Sequence, residues 1–309
     1  MNAIKRAIPL VVALAYGPSL ALATPILGSD LMSFAVLGSS TVTNVPSSTV
    51  VGNVGVWSSG GANAITGFNS SPSVAVADVQ VTGGNVHAGT TVAQLAQGEL
   101  TYAITNLGLM GVGTTLINPD LSGLTLTPGV YTVHAGVSNL SGALTLDGLG
   151  NANASWVFQM DSSLITSPGS KVNLINTGSG AGVFWNVRSS ATLDTATSFE
   201  GNILALASIT LNTGATIGCG RALANTGAVT MDMSSIGGGC GLANNQSIGN
   251  NSLSGGITIP ENGGPPVFLP FVSVPEPSAF ILFGLGLAGL FGFRQRAFSI
   301  DLRSNVNRP

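Results

Sequence analysis

One short phrase returns three times between residues 191 and 237, and it constrains the fold more than any other feature of the chain. It reads Ala191-Thr192-Leu193-Asp194-Thr195, then Ile209-Thr210-Leu211-Asn212-Thr213, then Val229-Thr230-Met231-Asp232-Met233. Thr192, Thr210 and Thr230 keep a nearly even beat. A second phrase keeps the same beat: Gly201-Asn202-Ile203-Leu204-Ala205 returns one beat later as Gly220-Arg221-Ala222-Leu223-Ala224. Units this short cannot bury a core alone, so each must stack on its neighbour. Stacking repeats one side chain at one place on every turn. The expected outcome is a β-solenoid carrying a flat ladder of Thr with Asn and Asp.

Alternation along a strand sends successive side chains to opposite sides. Leu193, Leu211 and Met231 therefore point inward, with Ala191, Ile209 and Val229. Thr192, Thr210 and Thr230 point outward, with Asp194, Asn212 and Asp232 beside them. A corner follows, after which Phe199 and Ile217 point inward and Ser198 and Thr216 outward on the next face. Other segments share the habit. Val157-Phe158-Gln159-Met160 resembles Phe184-Trp185-Asn186-Val187 at a longer offset, and Leu144-Thr145-Leu146-Asp147 echoes the Thr-Leu-Asp phrase. Thr41-Val42-Thr43-Asn44 also fits. It reads as a coil distant in sequence but adjacent in space, which makes the solenoid discontinuous.

Composition agrees with this architecture. Only 7% of the 309 residues are charged, against about 25% in an average soluble domain. Gly, Ser, Thr, Asn, Val and Leu take their place, which suits strands with tight corners. Between Thr24 and Ser273 stand three basic residues (Lys171, Arg188 and Arg221) and ten acidic ones, a net of minus seven. A nucleic-acid binder needs a basic patch, so that class is excluded. One segment has helical spacing: Val92, Leu95, Ala96, Leu100, Ala103, Ile104 and Leu107. Thr91 with Gln94 reads as a capping box, with the helix running from about Val92 to Leu109. Its apolar stripe must lie on something, and the side of the solenoid is the available surface.

Both ends read as addresses. Residues 1–23 have the form of a secretory signal: Lys5 and Arg6, an apolar run, and Ala21-Leu22-Ala23 before a cut ahead of Thr24. The alternative is an N-terminal anchor. Residues 24–258 form the expected domain, and the Pro- and Gly-rich stretch 259–273 reads as a linker. Residues 274–296 contain Pro275-Glu276-Pro277, an apolar run from Ser278 to Phe293, and Arg294-Gln295-Arg296. That order resembles the PEP-CTERM sorting signal of Gram-negative bacteria. The resemblance implies an exosortase-type membrane protease as processing partner and export to the cell surface or matrix. A tail, 297–309, follows. The alternative is a plain C-terminal transmembrane helix. Sixteen residues at 1.5 Å each span about 24 Å, short for a bilayer core of about 30 Å.

The middle of the chain resembles the ice-binding-protein-like β-solenoid family of microbes. The resemblance is carried by Thr41-Val42-Thr43-Asn44, Gly52-Asn53-Val54-Gly55-Val56, Leu126-Thr127-Pro128-Gly129-Val130-Tyr131 and the run from Val183 to Asp232. It implies an all-β dominated fold: a discontinuous right-handed solenoid of roughly triangular section with one long α-helix packed alongside. It also implies that one flat face binds ice. The family's Thr-(Ala or Gly)-x-(Thr or Asn) pattern corresponds to Thr195-Ala196-Thr197-Ser198 and Thr213-Gly214-Ala215-Thr216, and in part to Thr226-Gly227-Ala228-Val229. The candidate ice-facing residues are Thr192, Thr195, Ser198, Thr210, Thr213, Thr216 and Thr230. Thr suits such a surface because it joins a methyl and a hydroxyl on a stiff χ1.

Other chemistry is thin. Cys219 and Cys240 are the only cysteines, and in an exported chain the pair reads as a disulfide closing a loop of about 20 residues. Free thiols or half a metal site are the alternatives. His87 and His134 lack partners at zinc-ligand spacing, so no metal and no cofactor are expected. Asp161, Asp194 and Glu200 are the acids a glycosidase would need, but lone acids also recur at strand corners. Trp57, Trp156 and Trp185 could be sugar platforms, although Trp156 and Trp185 sit among core residues. The reading is a non-enzymatic, exported protein that adsorbs to the surface of ice crystals. The alternative is a structural or adhesive component of an exopolysaccharide matrix.

Overall fold

The computed structural model describes residues 24–45, 47–58, 64–237 and 253–274. The expected signal segment 1–23, Cys240 and the sorting signal from Pro275 to Arg296 lie outside the described residues, as does the candidate membrane run. Among the described residues, no helix is long and apolar enough to cross a membrane.

Parallel strands stack into three ladders. The first contains Leu164–Ile165, Ala191–Leu193, Ile209–Leu211, Val229–Asp232, Val42–Val45 and Ile65–Thr66, in that order; it is called the threonine ladder below. The second runs through Ala143–Asn151, Lys171–Thr177, the starts of Ser198–Ala205 and Thr216–Ala224, then Ser235–Ile236, Thr49–Val51 and Val81–Thr82. The third runs from Thr114–Leu116 through Gly129–Val133, Ser155–Met160, Gly182–Val187, Ser198–Ala205 and Thr216–Ala224 to Phe34–Gly38, Asn53–Val56 and Val86–Ala88. The phrase at Leu144–Asp147 therefore belongs to the second ladder, beside Val172–Ile175, and not with Thr192.

The discontinuity expected at Thr41–Asn44 is present. The last repeat, Val229–Asp232, pairs with Val42–Val45 rather than with a following coil, and Ala222 and Leu223 pair with Val36 and Leu37. The N-terminal coils thus cap the end of the stack that the later coils build toward.

Inside the third ladder one core column reads Tyr131, Phe158, Trp185, Ile203, Ala222, Val36, Val54, Val86. The coils that lead from Tyr131 to Phe158 and on to Trp185 are longer than those that lead from Trp185 to Ile203 and Ala222. Side-chain size follows coil length. Longer coils enclose more space, and rings fill it: Phe158 stacks on Trp185 with centroids 3.9 Å apart, and Trp185 meets Phe199 at 4.8 Å. Trp156 and Trp185 are fully buried, and each indole N–H donates to a carbonyl, of Leu126 and Glu200 respectively.

The outer side of the third ladder is covered by the helix Thr91–Leu109, α1. Nineteen residues at 1.5 Å give about 28 Å, most of the roughly 38 Å that nine strands at 4.8 Å span. The helix returns the chain from the N-terminal coils to the far end of the stack. The buried stripe is Ala93, Ala96, Leu100, Ala103 and Leu107, against Leu37, Val157, Phe184, Leu204 and Leu223. Val92 and Leu95, expected in that stripe, face outward. Ala93 and Ala96 are fully buried in their place. The cap is also one residue earlier than expected: Thr90 Oγ1 accepts from Ala93 N–H at 3.3 Å. Gln97, Gln159 and Asn186 tie helix and sheet by donating to the carbonyls of Asn225, Leu107 and Ile104.

The segment 259–273, read as a linker from composition, is docked on the domain. Thr24–Pro25 pairs antiparallel with Ile257–Ile259, which pairs with Val267–Phe268. Backbone hydrogen bonds in a small sheet hold this strap where Pro and Gly content alone signalled freedom. Arg221 fastens the residues that lead into it. The guanidinium is buried and donates to Asn202 Oδ1, Ser254 Oγ and the Met32 carbonyl. Burial brings its pKa down to about 10, so it stays charged.

Truncating Trp185 to Ala should cost about 3–5 kcal/mol through the cavity it leaves, read as a lower urea midpoint. Thr90→Ala removes one helix cap and should cost about 1 kcal/mol in the same assay.

Candidate functional site

The threonine ladder is built by register. Thr192, Thr210, Thr230, Thr43 and Thr66 stand opposite one another on successive strands, with Ile165 at the starting end. Five threonines over four steps of about 4.8 Å make a column roughly 19 Å long. Their inward neighbours are buried: Ala191, Leu193, Ile209, Leu211, Val229, Met231 and Val42. Thr192, Thr210, Thr230 and Thr43 are half-exposed and Thr66 exposed. None of the pairings within this ladder carries a register shift, whereas both other ladders do.

The column beside it holds Asp194, Asn212, Asp232 and Val45. The acids are restrained rather than free. Asn212 Nδ2 donates to Asp194 Oδ1 at 3.0 Å, and Thr195 N–H donates to the same oxygen at 2.7 Å. These bonds, the Asn212 amide first, hold Asp194 below the usual carboxylate range. Thr213 Oγ1 donates to Asp232. Such clips join consecutive coils at the corner.

The corner explains the Thr-(Ala or Gly) pattern. Ala196 and Gly214 have φ of 57° and 70°, the left-handed region where small residues are favoured. The Thr197 and Ala215 N–H groups close matching turns onto the Asp194 and Asn212 carbonyls. Thr195 and Thr213 are exposed here. The third copy differs from expectation. In the structure it is Asp232-Met233-Ser234-Ser235, one residue shorter, with Met233 left-handed and 52% exposed. Thr226–Val229, expected as a partial third copy, lies at another corner, where Thr226 Oγ1 donates to the Leu206 carbonyl. The corner column of threonine is therefore limited to Thr195 and Thr213.

Ser198 and Thr216 lie on the second ladder, in register with Lys171 on one side and Ser235 and Thr49 on the other. Phe199 and Ile217 are buried inside, as alternation requires. This face is less regular: Lys171 interrupts it, and the register shifts between Phe199 and Gly201. Glu200 folds over Gly218, where an added Cβ would come 2.5 Å from Oε1. Its Oε2 accepts from Cys219 N–H at 2.7 Å. Burial pushes the Glu200 carboxyl up to about 7, against the lowering effect of that N–H.

The remaining candidates are dispersed. Asp161 pairs with exposed His134 at 2.6 Å, Asp194 serves the corner, and Glu200 is turned onto Gly218. His87 is buried against Phe34, and burial lowers its pKa. Among the described residues, no group of His, Cys, Asp and Glu could hold a metal ion. Cys219 is buried and is not a free thiol.

With this geometry in hand, comparison with known proteins is direct. The sequence pattern described as Ice-binding-like matches residues 36–237. The chain belongs to the ice-binding-like family. The PEP-CTERM protein-sorting motif matches residues 273–297. An ice-binding protein of Nostoc sp. (strain HG1) is 41% identical over 85% of this chain and 84% of its own length. A crystal structure of an ice-binding protein from an Antarctic biological consortium aligns with TM-score 0.58 and 34% identity, over 75% of this chain and 95% of that one. The ice-binding protein of the Antarctic ascomycete Antarctomyces psychrotrophicus aligns with TM-score 0.60 and 32% identity, over 70% and 98%. The residues matched by the family pattern include the threonine ladder, the helix and the N-terminal coils, so this member shares the β-solenoid fold of its family.

Thr43 and Thr66 were not among the candidates, although both extend the ladder. Thr43 had a signal in the returning Thr-Val-Thr-Asn phrase. Thr66 had almost none, because its strand is two residues long and its partner Thr43 is remote in the sequence.

The raised Glu200 pKa makes a pH prediction. Between pH 4.5 and about 7 the folded protein binds the extra proton, so this group's contribution to stability falls as pH rises through that window. Glu200→Gln should flatten that part of the profile and make the protein more stable than the parent at alkaline pH. Urea midpoints across the range would check it.

Proposed function

We propose that this protein is an exported ice-binding protein that adsorbs to ice through its threonine ladder. The observation that carries the reading is the in-register column of five threonines, continuous across the chain discontinuity. Among the described residues, their hydroxyls take no protein partner. They stand on strands whose inner side chains are buried, so they are held rigidly at a regular spacing. No Lys or Arg stands in the columns beside them, and the neighbouring Asp carboxylates are tied to adjacent coils. A surface of that kind orders water rather than solvating itself with mobile charge. Corner residues Thr195 and Thr213 extend it, and Ser198 and Thr216 form the adjoining edge. Family membership and ice-binding relatives support the same reading.

The right-handed, triangular winding is taken from the resemblance, and three ladders per coil support the three-sided section. The sorting motif supports an exported, surface-associated protein. Processing by an exosortase-type protease, removal of residues 1–23 and a Cys219–Cys240 disulfide belong to the same proposal.

The decisive test is thermal hysteresis and recrystallisation inhibition by the purified protein and by tyrosine variants. Thr210→Tyr and Thr192→Tyr place a bulky ring on the ladder, and should remove most of the activity without lowering the melting temperature. Thr105→Tyr, on the exposed side of the helix, should leave it intact. Unchanged activity in the ladder variants would reject this face. An inactive parent that instead captures exopolysaccharide would favour the matrix alternative.

A further inference from the structure

The strap occupies a particular edge. Each coil runs from the threonine ladder to the second ladder, then to the helix-covered third ladder, and back. Three edges separate the ladders, and two of them border the threonine ladder. The strap lies on the remaining one, where the second ladder passes into the third. At its start, the carbonyl of Leu253 accepts from Val183 N–H and from Asn202 Nδ2, and Ser254 bridges to Gly182. Ser155 Oγ donates to the Gly255 carbonyl. At its end, Asn153 Nδ2 donates to the Pro270 carbonyl, Ala152 N–H to that of Val272, and Val274 N–H to that of Gly150. Ser273 bridges to Asn151. The docking therefore begins at the coil of Asn202 and finishes at the coil of Asn151, and the chain passes to Pro275 from this edge.

The strap is thus not neutral packing. A chain held at Gly150 and Asn151 leaves the domain from the edge that does not touch the threonine ladder. Free rotation about a flexible linker would leave the orientation of an attached domain open. Here the pairing Thr24–Pro25 with Ile257–Ile259, the pairing of that strand with Val267–Phe268, and the buried Arg221 contact to Ser254 hold the approach to the sorting motif against the domain.

We propose that residues 253–274 are an oriented mooring: a protein retained at the cell surface through its C-terminal region presents the threonine ladder away from that surface and so attaches the cell to ice. The proposal rests on the reading of the threonine ladder as the ice-binding face. It adds a function that a freely diffusing adsorber does not have, namely adhesion of a cell to a solid.

The experiment uses cells that produce and export the full chain. Thr210→Cys and Thr66→Cys report on the ladder, and Ser273→Cys and Phe271→Cys, at exposed positions, report on the strap edge. Each is labelled with a membrane-impermeant maleimide on intact cells and again on protein released from them. On cells, the ladder reporters should label several-fold faster than the strap reporters, relative to their rates in released protein, and the cells should adhere to an ice surface. Ladder reporters shielded on cells but reactive after release would overturn the mooring. So would complete release of the protein into the medium. If released protein itself fails to adsorb to ice, the ice-face reading fails, and the labelling pattern still decides orientation separately. Replacing both Asn151 and Asn153 by Ala loosens the strap and should narrow the difference in labelling between the two edges while released protein keeps its ice adsorption.

Discussion

The described coils give their backbone N–H groups to the coils beside them, in parallel and with only local shifts of register, and the rest of the molecule depends on that arrangement. An unpaired backbone amide inside a protein is costly, so a chain with so few charges and so many small residues must satisfy its backbone by neighbouring turns. Once it does so, side chains lose their independence. A residue chosen for one coil is repeated in effect by the residue above and below it. Inward positions become a column of Ala, Leu, Ile, Val and aromatic rings; outward positions become a column of hydroxyls.

The surface inherits its properties from that constraint. Thr side chains are stiff at χ1, and their backbone is locked on both sides by hydrogen bonds to adjacent coils. The carboxylates next to them would normally draw mobile water and ions. Their bonds to Asn212 and Thr213 use that capacity within the protein. The second ladder has hydroxyls too, but Lys171 and the shift at Glu200 break its order. Regularity, more than the presence of threonine, separates the two faces.

The third ladder is different in kind, because both of its sides are buried. Its outer residues Leu37, Leu204 and Leu223 are as apolar as its inner ones, and α1 covers them. This division of labour leaves two open faces and one closed one. It also solves a problem of connectivity. A chain that begins in the middle of a stack has to travel back to the far end, and a straight helix lying on the sheet does this while burying its own apolar stripe.

Periodicity in the sequence was enough to establish coils, their inward and outward residues from Ala191 to Asp232 and the helix, because these follow from local spacing and from repeated phrases; the family came from resemblance of particular motifs. The longer offset likewise named true neighbours, Val157 with Phe184. Long-range assembly settled the rest. Which coil lies beside Thr43, that Leu144–Asp147 belongs to another face, that the third corner is a residue short, and that a Pro- and Gly-rich stretch is pinned rather than loose all depend on contacts between residues far apart in the chain. Such contacts leave no period for a sequence to display. They arise when separately patterned segments compete for the same exposed strand edges and the most complete hydrogen bonding wins.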